Sequence, residues 1–224
     1  MIRQISFAVA GLLATAAAGT AADATAFTTF SSRSAFAAAS GTLATDTFNT
    51  VTSDILFSNG SYGAVGFTMR IEANDRTART AYIDASPFQG SSIDGTSFAA
   101  AALYSVSGLD AALVLTFDKP ITSFGADFLS GAGGLFRIDV LGSTLDASVD
   151  NPSFFGFVSD TEFSSIRLRA REGSGHYLVM DNVSTGAAAI SAAPEPISWA
   201  MMVGGFGVIG GALRGRRRTK AAFA

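Results

Sequence analysis

The 224-residue sequence contains no cysteine. That excludes a disulfide framework, a thiolate metal site and a thiol nucleophile together. It contains one histidine, His176, so neither a histidine-rich metal centre nor an H-E-x-x-H helix can exist. Its one tryptophan, Trp199, lies close to the C-terminus. No Gly-x-Ser-x-Gly run occurs, which removes the nucleophile elbow. Charged residues make up 15% against 48% hydrophobic, a balance that excludes a highly charged, disordered chain.

The distribution of charge says more than its total of −3. Residues 23–193 carry 17 acids against 9 bases, net −8, while residues 194–224 carry one acid against five bases, net +4. An acidic body has no electrostatic footprint for nucleic acid.

The N-terminus has the pattern of a secretory signal peptide over residues 1–22. Arg3 is a short positive region, Ile5 to Ala18 is uncharged and Ala/Leu-rich, and small residues follow. Cleavage after Ala22 leaves Thr20-Ala21-Ala22 before the cut. Cleavage after Ala26 leaves Ala24-Thr25-Ala26, and both remain open. The protein is therefore expected to be exported.

The C-terminus is patterned more sharply. After the small-residue linker 187–193 comes Pro194-Glu195-Pro196-Ile197-Ser198-Trp199, with Ile197 to Leu213 uncharged. At about 1.5 Å per residue this stretch reaches about 25 Å, the short end of a membrane span. Arg214, Arg216, Arg217, Arg218 and Lys220 follow it. Those bases set the stop and the orientation: they stay cytoplasmic, Trp199 sits at the other interface, and the body lies outside.

In its order of motif, span and basic end, the tail over 194–220 resembles the PEP-CTERM sorting signal of Gram-negative bacteria. The run from Pro194 to Gly207 is similar to the form found in sphingomonad-type bacteria. Arg214-Gly215 departs from the unbroken arginine run of that pattern. The resemblance implies recognition by an exosortase-like membrane enzyme, and association with exopolysaccharide or the cell envelope.

Within the tail, Gly205-Phe206-Gly207-Val208-Ile209-Gly210 matches G-x-G-x-x-G. A dinucleotide site also needs a preceding strand and an acid about 20 residues later, and this chain has neither. Gly207 and Gly211 instead form a G-x-x-x-G pair, which in a membrane helix permits close helix packing.

The body, 23–186, reads as all-β. Leu113, Leu115 and Phe117 alternate toward one face and are closed by Asp118-Lys119-Pro120. Phe124, Ala126 and Phe128, Phe136, Ile138 and Val140, and Ile166, Leu168 and Ala170 repeat the pattern. Further strands are expected at 43–50, 64–72, 80–84, 98–106, 154–159 and 176–184, and a brief helix at 34–39. About ten short strands at this spacing predict an antiparallel β-sandwich of jelly-roll type. Sixteen phenylalanines in the body supply its core. Arg167, Arg169 and Arg171 alternate outward, with acids expected across from them.

The run Phe155 to Ile166, followed by Met180-Asp181-Asn182-Val183, resembles the closing half of many exported PEP-CTERM proteins. It is also similar to galactose-binding-like jelly rolls and carbohydrate-binding modules. In that family an acid on the last strand often joins oxygens of an early strand around a structural calcium. The resemblance thus implies a calcium set of Asp46, Asn49 and Asp181, the hard oxygen donors that calcium prefers. Asp181 and Asn182, adjacent on a strand, point to opposite faces and cannot both contribute side chains.

His176 follows Gly173-Ser174-Gly175 and reads as the opening of the last strand, not as a triad member. Paired carboxylates for glycoside hydrolysis leave no sequence signature, since their separation decides the chemistry. Two functions therefore stand. One is a non-catalytic surface or biofilm-matrix protein with weak polysaccharide contact. The other is an extracellular hydrolase acting on polysaccharide or esters. With no tryptophan in the body, the tyrosines Tyr62, Tyr82, Tyr104 and Tyr177 are the available sugar platforms.

Overall fold

The computed structural model describes residues 25–74, 77, 79–85, 92–130, 135–149 and 152–187. The predicted signal peptide and sorting tail lie outside them, as do residues 131–134. Among the described residues no helix is long and apolar enough to cross a membrane.

The elements in chain order are β1 (Phe27–Phe30), α1 (Arg33–Ser40), β2 (Leu43–Asp46), β3 (Ile55–Leu56), β4 (Ser61–Ala64), β5 (Phe67–Ala73) and β6 (Ala81–Asp84). They continue with β7 (Phe98–Val106), β8 (Leu109–Ser130), β9 (Leu135–Val140), β10 (Ser143–Ser148), β11 (Ser153–Ala170) and β12 (Ser174–Gly186). All pairings are antiparallel.

Two long strands turn this one ladder into two layers. Early β8 pairs with β5 (Ile71↔Leu113) and with late β11 (Leu168↔Leu113). Late β8 pairs with early β11 (Phe157↔Phe124) and with β12 (Thr185↔Phe124). Between the halves the β8–β11 register jumps twice, from Val158 to Phe163 and from Phe163 to Ser165. Both strands therefore bulge and fold back together. The aromatic contacts require this geometry: Phe136, in the β9 half, has its ring centroid 4.7 Å from that of Phe128 in the other half. Phe117–Phe124 and Phe157–Phe163 close the bend at 6.2 and 5.3 Å.

The first layer is β4-β5-β8-β11-β9-β10, and the second is β3-β6-β7-β12-β8-β11-β1 with β2 beside the end of β12. The alternating residues of both layers meet in one core, from Phe67 and Met69 to Phe128 and Met180. The β-sandwich class is thus as expected. The separate strands 113–117 and 124–128 are instead parts of β8. Asp118-Lys119-Pro120 does not end the ladder, because β11 bends alongside. Pro120, which has no N–H to donate, sits at the bulge, where a ladder tolerates it.

The expected helix is α1. Ser32 caps it, its hydroxyl accepting from Ala35 N. Its Phe36, fully buried, lies on the outer side of the second layer over Gly125 and Gly156, which are partners in register. A Cβ on Gly156 would stand 2.8 Å from Phe154 and 2.9 Å from Phe36. These two glycines open the slot that seats the helix.

Candidate functional site

The second layer presents two different outer surfaces. Where late β8 and early β11 run, α1 covers it. Over β6, β7 and β12, no described element does. Outward positions there follow from register, since paired residues share a face and alternate residues return to it. Leu56 pairs with Tyr82, Tyr82 with Ala100, and Ala100 with Val179. In the next rows Ala102 faces Tyr177 and Tyr104 faces Gly175.

Three of the four tyrosines therefore share one open sheet face. Tyr177 is 49% exposed and Leu56 72%, while Ala100 and Ala102 form a buried floor between them. Gly175 leaves room for Tyr104: a Cβ there would stand 2.6 Å from that ring. The fourth, Tyr62, turns inward, its ring 6.0 Å from Phe57 and 6.4 Å from Phe48. Burial, then Asp84, Tyr177 and Asp54, push the Tyr82 phenol above its ordinary value. It therefore stays neutral and able to donate.

The same face ends in carboxylates. Asp181 is two residues from Val179 and pairs with Asp127. It is fully buried, accepting from Asn182 N at 2.6 Å, with the Thr96 hydroxyl 3.5 Å away. Burial, reinforced by Asp94 and Asp127, pushes its carboxyl up to about 7 against the lowering effect of the Asn182 N–H. The Thr96 hydroxyl, outweighing partial burial, holds neighbouring Asp94 below its usual range. Asn182 sits at a bulge with φ 51°, a left-handed conformation that Asn tolerates. Arg33 closes the cluster from α1: it pairs with Asp127 at 2.9 Å and donates to Asn182 O and the Ser184 hydroxyl.

The residues expected to hold calcium lie on two neighbouring strands, β2 and β12, and on the turn after β2. The register does bring β2 beside β12, with Asp46 opposite Val183. Both Asp46 oxygens, however, accept backbone N–H groups, from Phe48 and Val65, each at 2.7 Å. Asn49 is exposed on the turn that follows. Among the described residues no group of three or more His, Asp or Glu side chains could hold a metal. The sorting residues Pro194, Glu195, Pro196 and Trp199, and the bases Arg214 to Lys220, lie outside the described residues.

β12 begins at Ser174, two residues before the expected opening at His176. The His176 ring is buried with no hydrogen-bond partner on either nitrogen. Burial lowers its pKa. It is a core residue with no serine or carboxylate on it.

The outer face of the first layer holds Arg167 and Arg169 of the arginine stripe, with acids across from them, while Arg171 lies exposed just beyond the end of β11. Arg169 grips Asp139 through two nitrogens at 2.6 and 3.3 Å, Arg167 meets Asp110 and Glu72, and Arg137 meets Asp146. Burial alone would raise Asp139, but the Arg169 and Thr144 hydrogen bonds outweigh it and hold the carboxyl low. This face is a satisfied charge ladder. A shallow polar groove of about 340 Å³ beside it is lined by Ser58, Asn59, Arg70, Glu72 and Arg79.

No family model matches the chain, and no curated protein matches it. Solved structures similar to it include a family 29 carbohydrate-binding module variant, with 12% identity over 64% of this chain and 99% of that one, TM-score 0.37. The K2 cleaved adhesin domain of Lys-gingipain gives 10% identity over 64% and 99%, TM-score 0.39. The family 11 carbohydrate-binding module of a Clostridium thermocellum cellulosomal cellulase gives 11% identity over 66% and 97%, TM-score 0.34. The likeness is one of β-sheet architecture.

Proposed function

We propose that this is an exported, non-catalytic protein of the cell envelope or biofilm matrix, sorted through its C-terminal tail by an exosortase-like enzyme. Its body makes weak contact with polysaccharide. The observation that carries the binding part is the open face bearing Tyr82, Tyr104 and Tyr177 over an alanine floor. Flat aromatic rings with a polar tip suit the mixed apolar and hydroxyl surface of a sugar. An open sheet face buries little, so affinity is low.

The placement of the chain ends supports tethering. Thr28, Val158, Ser123 and Gly186 stand in one row across four strands, so the two ends of the body leave on the same side, about 14 Å apart. A tail at residue 187 then holds the body by one end and leaves its sheet faces open. The jelly-roll form of the sandwich belongs to this reading, supported by two strands that serve both layers.

The hydrolase reading finds little support in Asp181. Its raised pKa is that of a general acid, but the carboxyl is buried beneath Thr96 and Asn182, where no substrate atom reaches it.

Deleting the gene alters matrix cohesion or surface adhesion and leaves growth on defined carbon sources unchanged. Loss of growth on one polymer, restored by wild type but not by a single carboxylate variant, would establish the hydrolase instead. Deleting Pro194-Glu195-Pro196 changes the mature mass or the fractionation, and identical behaviour refutes the sorting role.

A further inference from the structure

Resting on the polysaccharide reading, we infer that the Tyr82/Tyr104/Tyr177 face selects polysaccharides carrying protonated amines over neutral ones of the same backbone. The argument is the charge around the rings. Asp84 and Asp54 lie close enough to raise the Tyr82 phenol. Asp84 is the next outward residue on β6, and Asp54 accepts from Ala85 N at 2.9 Å with its side chain on an exposed turn. Beyond Val179, Asp94, held ionised by the Thr96 hydroxyl, continues the acidic edge, while Asp127 is paired with Arg33 and buried Asp181 keeps its proton at mildly acidic pH.

Among the described residues, Arg33 is the base seen to pair within this layer's polar cluster, with Asp127, while Arg79 and exposed Arg171 lie at the far ends of β6 and β12 from Asp84 and Asp181. Arg70, Arg137, Arg167 and Arg169 all stand on the opposite layer within their own ion pairs. The sandwich thus separates a self-neutralised ladder on one side from an acidic, tyrosine-bearing face on the other. An anionic polymer is repelled from that face. An ammonium group on a sugar ring gains twice: from carboxylates at the rim, and from the tyrosine π-faces by cation–π attraction. Exposed contacts of either kind are individually small, so selectivity comes from several amines along one chain acting together.

Three β-1,4-linked hexamers with one backbone isolate the group at C2: cellohexaose (hydroxyl), N-acetylglucosamine hexaose (acetamide) and glucosamine hexaose (ammonium). Binding to the purified full chain is measured at about pH 6, where primary amines are protonated, in low salt and again at about 0.3 M salt. The glucosamine hexamer is expected to bind at least ~10-fold more tightly than the other two in low salt. At high salt, where the Debye length is only several ångströms, the gap closes.

Tyr177→Ala should weaken all three hexamers several-fold. Asp54→Asn, which keeps the acceptor for Ala85 N, should weaken the ammonium form alone by about threefold. Equal binding of the three hexamers in low salt overturns the amine selectivity and leaves the polysaccharide reading standing. Binding of none overturns both. Tight glucosamine binding that Tyr177→Ala and Asp54→Asn leave unchanged overturns the site, since it reports only attraction to an acidic protein.

Discussion

Two buried titratable groups on β12 should pull the pH dependence of stability in opposite directions, and single substitutions should separate them. The Asp181 carboxyl titrates at about 7 in the fold against 3.8 unfolded. Below pH 3.8 both states hold the proton. Between 3.8 and about 7 the unfolded chain releases it and the folded chain keeps it, so stability falls as pH rises. At about 1.4 kcal/mol per unit the full effect is on the order of 4 kcal/mol. His176 has the opposite sign. Its folded pKa lies below 6.5, so as pH drops under 6.5 the unfolded chain takes up a proton that the buried ring refuses, and stability falls. Asp94 and Asp139, both held low, act only in more acidic solution. Just below pH 6.5 the two slopes oppose each other, so the wild-type curve is flatter than that of either variant. Asp181→Asn keeps an acceptor for Asn182 N and removes one slope. It should be more stable by about 2 to 4 kcal/mol at pH 7.5, and should lose stability below pH 6.5. His176→Leu should show the reverse, with stability rising as pH falls from 7 toward 4. Urea unfolding followed by circular dichroism at half-unit steps reads both slopes. An Asp181→Asn curve parallel to wild type at every pH, or displaced downward by a constant amount, refutes the reasoning.

Three further predictions concern packing and turns. Asp46→Ala strands the N–H groups of Phe48 and Val65 and releases Phe48 from its φ of 55°; a loss of about 2 to 4 kcal/mol is expected in denaturant titration, about half of it for Asp46→Asn. Gly156→Ala drives a Cβ into Phe36 and Phe154, so Tm should drop by the equivalent of about 1 to 3 kcal/mol, and Phe154→Leu in the same chain should recover part of it. Leu141, 43% exposed, holds φ 49° beside Gly142 at φ 76° in the two-residue β9–β10 turn. Leu141→Asn should therefore raise stability by about 0.5 to 1 kcal/mol in calorimetry, and a fall in Tm would show that the leucine packs instead.

That turn also explains what the sequence hid. The strands that alternate large side chains were legible: β7 runs over the expected residues, and β9, β12 and α1 lie within two residues of theirs. β10 was missed because its inward side chains are Leu145 and Ala147, and because Leu-Gly carries none of the Asn-Gly signal of its turn type. β1, β3 and β4 are edge strands of two to four residues whose pairing partners, not their own pattern, make them strands. β2 stops at Asp46 rather than running on to residue 50, because the carboxylate draws the chain into the turn at Phe48. The bend of β8 was invisible for a related reason. A proline-marked break looks the same whether a ladder ends there or a neighbouring strand turns with it.

The candidate site was less legible than the fold, and the cause is geometric. Period-2 alternation says that Tyr177 and Val179 share a side, and that Tyr82 and Asp84 do. It cannot say that these two sides are the same side, because β6 and β12 meet only through β7 between them. Nor can it say which half of that side is open. Gly125 and Gly156 decide it by admitting Phe36, and Arg33 decides it by locking α1 to Asp127 and Asn182. The helix thereby covers the glycine half of the second layer and leaves the tyrosine half to solvent. Phe36→Ala therefore tests more than a core contact. If α1 is released from its slot, the apolar surface of Gly125, Gly156 and Phe154 is exposed as a new patch beyond the Asp181/Asp127 row, and such patches promote association. Self-association of Phe36→Ala, relieved by Phe154→Ser in the same chain, is the result this division of the sheet requires.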